Sequence, residues 1–415
     1  MDTSAGLRSA RFSRCAWAAV LSILLVASSL AGSYRLYHAL DLETGPDQYN
    51  IADWELRSFP GKWLFLFGQV FRGQPSVEQQ DQTLRRFFDL TRDINDLERH
   101  ASNLEQRGQQ PPGSDREALA ALASERNGIE NQVEATIEAR LTTVAADAGL
   151  TRSFLNVVWP PIDFEFTQSP YTLVTSPRNR IELLDSSLLR DDLTLTEVEA
   201  IEAKAESGGR ISALAFPTGG IGAYPTIVDY AGDYRRTLEV VAHEWTHNYL
   251  FFRPLGFNYY ASNDLRTLNE TVADLVGHEL AAAAIARWPL EDATPQAARP
   301  PASTETPVDI GAELRSLRGE VDVLLAANRV EEAERLMEQR RQEFTAQGYF
   351  FRKLNQAYFA FVNLYAGEAG EPAATNPIGP KVDELRRRSA SLHEFVERIS
   401  GVTTVAQLDR LLAEP

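Results

Sequence analysis

His243, Glu244 and His247 stand in an H-E-x-x-H run, and Asn269-Glu270-Thr271-Val272-Ala273-Asp274 follows downstream. On a helix the two histidines fall on one face, one turn apart. Two imidazoles so placed can bind a single zinc ion, with Glu244 beside the open coordination position. Zinc needs a third protein donor, and Glu270 is the best-placed carboxylate downstream. Asp274 shares a helical face with Glu270. From there it can accept the far N–H of a metal-bound imidazole and fix the tautomer. His278 continues the stripe and reads as structural. The chemistry this set would supply is hydrolysis: zinc acidifies a water and Glu244 takes its proton.

Two elements must position these groups. The region 236–251 is the first: Leu238, Val241, Ala242, Trp245 and Tyr249 recur at helical spacing. Phe252-Arg253-Pro254-Leu255-Gly256 then stops it, because proline cannot continue a helix and glycine favours the turn. A second helical pattern over 268–287 holds Glu270 and Asp274. Thr267 and Glu270 also fit a capping box, which gives Glu270 a competing role as a cap.

H-E-x-x-H on one helix and N-E-x-x-x-D on the next resembles the gluzincin metallopeptidases, the thermolysin-like and aminopeptidase-like clan. The resemblance covers roughly residues 164–288. It implies a zincin-like catalytic domain, His243, His247 and Glu270 as zinc ligands, Glu244 as general base, and a peptide or protein substrate. Endopeptidase and aminopeptidase action both stay open. Chemistry of this kind also needs an oxyanion donor opposite the zinc. Tyr358 is the expected donor. It lies in the apolar run Leu354-Asn355-Gln356-Ala357-Tyr358-Phe359-Ala360-Phe361, where Asn355 shares its face. Tyr259 and Tyr260 compete for the role. Ahead of the zinc helix, 211–228 reads as strand, glycine turn, strand. A strand there is similar to the zincin sheet edge that pairs with an extended peptide; a plain hairpin turn is the alternative.

The chain has 415 residues, 44% hydrophobic, with a net charge of −17. That is enough for more than one domain with a real core, and the acidity argues against nucleic acid. The fold class expected is α+β, mostly α, with a small mixed sheet. Arg8, Arg11 and Arg14 precede an uncharged run over 15–34. Its length and the arginine asymmetry predict a single-pass membrane anchor with the catalytic part outside the cytoplasm, or else a cleaved secretory signal. The expected divisions are 1–36 anchor or signal, 37–74 aromatic interfacial segment, 75–150 antiparallel helical hairpin of coiled-coil type, 151–289 catalytic domain, 290–308 proline- and alanine-rich linker or loop, and 309–415 a helical region completing the cleft. The hairpin could dock a protein partner. The rival to a peptidase is a non-catalytic, membrane-tethered coiled-coil scaffold whose zinc site is structural.

Overall fold

The computed structural model describes residues 47–49, 51, 54, 75–106, 109–152, 157–290, 309–365 and 376–414. They form a mostly helical α+β structure with small sheets. Helices α1 (Val77–Gln106) and α2 (Gly113–Asp147) make the expected hairpin. It is not a free-standing coiled coil. Leu84, Phe87 and Phe88 of α1 and Val133, Ile137 and Leu141 of α2 enter the main core.

At the centre of that core α4 (Tyr234–Phe251) packs on α6 (Asn263–Arg287), with the one-turn α5 (Pro254–Phe257) between them in the chain. Leu238, Val241, Ala242, Trp245 and Tyr249 form the buried stripe of α4, and Leu268, Val272, Val276 and Leu280 that of α6. Both helices start on side-chain caps. Asp233 accepts from the Arg236 amide at 2.8 Å and Ser262 from the Leu265 amide at 3.2 Å. Ser262 is therefore the cap of α6, and Thr267 lies inside the helix. The capping role considered for Glu270 falls away.

The strands are short. β1 (Thr151–Arg152) and β2 (Val157–Val158) form an antiparallel pair. In one three-stranded sheet β4 (Tyr171–Pro177) lies between β5 (Asp185–Leu189) and β6 (Ile211–Pro217), antiparallel to both. In the other, β8 (Thr226–Val228) lies between β3 (Phe164–Phe166), parallel, and β7 (Gly220–Ile221), antiparallel. The simple strand–turn–strand reading of 211–228 thus gives way to strands in two sheets. The glycines after Pro217 let the chain leave β6 and lie across α4.

Three sheet edges are closed. Glu138 and Glu134 of α2 accept the amides of Phe164 and Phe166 on β3, at 3.0 and 2.8 Å. α3 (Leu195–Glu206) repeats the device. There Glu206 and Glu202 accept the amides of Ala213 and Ala215 on β6, at 2.8 and 2.7 Å. A helical i, i+4 glutamate pair matches the i, i+2 spacing of outward amides on a strand. The β5 edge is met by residues 47–49 through Tyr49 N to Leu188 O (3.1 Å) and Arg190 N to Asp47 O (2.8 Å). Among the described residues, β7 has no comparable cover on its outer side.

The C-terminal region divides between two cores. α7 (Ile310–Ala326), α8 (Val330–Ala346) and α9 (Gln356–Val362) belong to a second cluster, and α9 also packs on β4 and β6. α10 (Ile378–Arg388), α11 (Leu392–Ile399) and α12 (Val405–Ala413) join the main core. The pattern over 381–399 suggests one helix; it breaks where Ser391 caps the Glu394 amide at 3.1 Å.

The expectation of a single-pass membrane protein is corrected. No helix among the described residues is long and apolar enough to cross a membrane. The run 15–34, the linker 291–308 and most of the aromatic segment 37–74 lie outside the described residues.

Candidate metal centre

α4 brings His243, Glu244 and His247 together as a group able to hold a metal ion. Their Nε2 atoms lie 3.0 Å apart. α6 supplies the carboxylates: Glu270 Oε2 is 3.4 Å from each Nε2. The other ring nitrogens are tied down, His243 Nδ1 to Asp274 Oδ1 at 2.8 Å and His247 Nδ1 to Asn269 Oδ1 at 2.7 Å. An oxygen acceptor on Nδ1 holds the proton there, which leaves Nε2 as the free lone pair on both rings.

The helix crossing makes this possible. A Cβ on Gly277 of α6 would lie 2.9 Å from Glu239 O and 3.1 Å from His243 N. Glycine lets the two backbones approach closely enough for side chains on both to share one site.

Glu244 is 8% exposed, and its carboxylate has no hydrogen-bond partner among the described residues. Burial raises its carboxyl above the ordinary range, against the pull of the two histidines. β7 lies directly on it. A Cβ on Gly220 would stand 2.8 Å from Glu244 Oε1, and one on Gly222 would stand 3.2 Å from His247 Cβ. Burial disfavours charge on His243 and His247 as well. For His243 the bond to Asp274 and the nearby Glu270 carboxylate outweigh it, and for His247 the charge of Glu270 does, so both imidazoles are raised. Glu270 is lowered well below its usual value because the same two histidines outweigh its burial. The cluster is built to hold positive charge.

Each residue expected from sequence has a definite place. His243, Glu244, His247, Glu270 and Asp274 come together. Tyr358 does not join them; it packs in the core against Phe351 and Phe359, with ring centroids at 5.8 and 5.3 Å. No family model, curated protein or solved structure matches this chain. The site must be read from its own geometry.

Asn269, Arg266 and Tyr365 go beyond the sequence reading, and Tyr259, read there only as a competing oxyanion donor, also stands at the site. Asn269 holds His247. Tyr259 stands 5.9 Å from the His247 ring and donates its hydroxyl to Glu270 Oε1, while accepting from Arg266 Nε at 3.1 Å. Tyr365 lies past the end of α9 with its ring 6.3 Å from that of His243. Burial, then the charges of Glu270, Glu244 and Asp274, push its hydroxyl up, so it stays a proton donor. Arg266 was legible, four residues before Glu270 on one face. Nothing local points to Tyr365; the packing of α9 on β4 and β6 brings it in.

Proposed function

We propose that the chain is a zinc-dependent metallopeptidase of the gluzincin kind, with His243, His247 and Glu270 as ligands. One observation supports this above the rest. The two Nε2 atoms and Glu270 Oε2 form a triangle with edges of 3.0, 3.4 and 3.4 Å. Zinc binds nitrogen and oxygen at about 2.0–2.2 Å, so donors on one tetrahedral ion stand roughly 3.3–3.5 Å apart. Glu270 Oε2 is also buried without a hydrogen-bond partner among the described residues. A buried carboxylate oxygen in that condition is costly, and a cation against it removes the cost.

Bound there, zinc would supply Lewis acidity toward a water and a carbonyl. Glu244 takes the proton of the attacking water and hands it to the leaving amine. Its raised pKa suits that two-way role near neutral pH. Tyr365 donates to the developing oxyanion. Proton count favours it over Tyr259. A phenol has one proton, and that of Tyr259 is committed to Glu270. The side of β7 that is uncovered among the described residues runs beside Glu244, where an extended peptide can add as a strand through main-chain hydrogen bonds. The donor set also suits iron(II). The buried carboxylate of Glu244 beside it favours hydrolysis.

One further reading has an observation behind it: a closed structural site in which Glu244 is the fourth ligand, since it belongs to the metal-holding group. Glu244→Gln separates the two. As a base, Glu244 is dispensable for metal, so the variant should keep about one zinc equivalent and lose peptidase activity on a peptide library. Loss of zinc would show a ligand. Zinc together with undiminished activity would remove Glu244 from the chemistry.

A further inference from the structure

Arg266 is not in the proposed ligand set, yet it is built into the site. It stands on α6 four residues before Glu270, and its guanidinium lies mostly inside the protein. Among the described residues no carboxylate is in salt-bridge contact with it, although those of Asp185 and Glu270 act on it through space. Its partners are neutral: Nε donates to the Tyr259 hydroxyl at 3.1 Å, and both terminal nitrogens reach Ser186 Oγ on β5 at 3.2 Å. The guanidinium also sits over the Tyr259 ring, 5.3 Å from its centroid. Tyr259 in turn donates to Glu270 Oε1. A buried guanidinium with only neutral direct partners needs a compensating charge nearby. The nearest in this chain of bonds is Glu270, one hydroxyl away.

That order of bonds has a directional result. Arg266 is donor only, so Tyr259 must accept from it, and the single phenolic proton is left for Glu270. Oε1 of Glu270 is thereby occupied, and Oε2 is the oxygen turned to the two imidazoles. Resting on the metal-site reading above, we infer that Arg266 is a positioning residue: keyed to Ser186, it locks Tyr259 onto Oε1 and presents Oε2 to the metal. The β5–β4–β6 sheet is thereby coupled to the affinity of a site that lies on two helices. Lysine cannot replace arginine fully, because a single ammonium lacks the fork that reaches Tyr259 and Ser186 together.

The test is zinc affinity of the full chain, measured by competition with a chromophoric chelator, which does not depend on turnover. Arg266→Met and Tyr259→Phe should each weaken zinc about 10- to 100-fold, the range for outer partners of a metal ligand. Arg266→Lys should fall between wild type and Arg266→Met. The double variant should bind zinc no more weakly than the worse single, because both residues act through one Glu270 oxygen. Should Arg266→Met fail to fold by circular dichroism, Arg266→Lys and Ser186→Ala give the same ordering with milder changes. Zinc affinities within about threefold of wild type in folded arginine variants would overturn the inference, as would additive losses in the double variant. A wild-type chain that binds no zinc would instead sink the metal reading on which it rests.

Discussion

Each imidazole at the site gives one nitrogen to an oxygen acceptor and turns the other toward Glu270 Oε2. The tyrosines are where sequence reasoning and geometry part. Asn355 and Tyr358, three apart, look like a polar patch on a helix. In fact Asn355 caps α9, accepting from the Tyr358 amide at 2.9 Å. The polarity that drew attention there serves the backbone, and the Tyr358 ring serves the core. Tyr365, with its ring 6.3 Å from that of His243, stands at the site where Tyr358 does not. Tyr365→Phe should lower kcat by about 10²–10³-fold with zinc content unchanged, the size of one lost oxyanion donor. Tyr358→Phe should leave kcat within a few fold. Steady-state kinetics on the two variants side by side decides it; the opposite ranking would return the role to Tyr358.

At the scale of elements, the motif helices were legible because the histidine and carboxylate spacings coincide with apolar stripes of the same period. The hairpin α1–α2 was legible for the same reason, though not that it shares the main core with α4 and α6. The division of the strands was hidden, since β3 pairs with β8 and β4 with β6 across intervening elements, and the outer amides of β3 and β6 are taken by glutamates of α2 and α3. The tight crossing of α4 and α6 was hidden too, because Gly277 reads as an ordinary helical glycine until Glu239 O is found 2.9 Å from where its Cβ would stand. Both contacts are to backbone, which cannot rotate away. Gly277→Ala should therefore push the helices apart and destabilise the protein by about 1–3 kcal/mol, as overpacking does. Because His243 is on one helix and Glu270 and Asp274 on the other, zinc affinity should drop with it. Denaturant unfolding and zinc titration of the variant would both stay at wild-type values if the crossing had slack.

For the whole molecule the question is whether the metal holds the fold or the fold holds the metal. The main core draws on α1, α2, α4, α6 and α10–α12 and is built chiefly of apolar side chains. Small domains that need zinc to fold lack such a core. Removing zinc here should lower the melting temperature without unfolding the chain at room temperature. At free zinc about a hundredfold above its dissociation constant the linkage contributes about 2.7 kcal/mol. The pH dependence has a definite sign. In the metal-free protein His243 and His247 are raised, so their charged pairs with Glu270 and Asp274 stabilise the fold fully below the unfolded histidine value near pH 6.5. That contribution is lost as pH rises through the higher folded values. Zinc behaves in the opposite sense, because protons compete with it for Nε2 and let go as pH rises. The gap in melting temperature between zinc-loaded and chelator-treated protein should thus widen from about pH 6 to pH 9. Differential scanning calorimetry across that range reads it directly. A gap that stays constant, or narrows with rising pH, would mean that these two imidazoles are not where the metal binds.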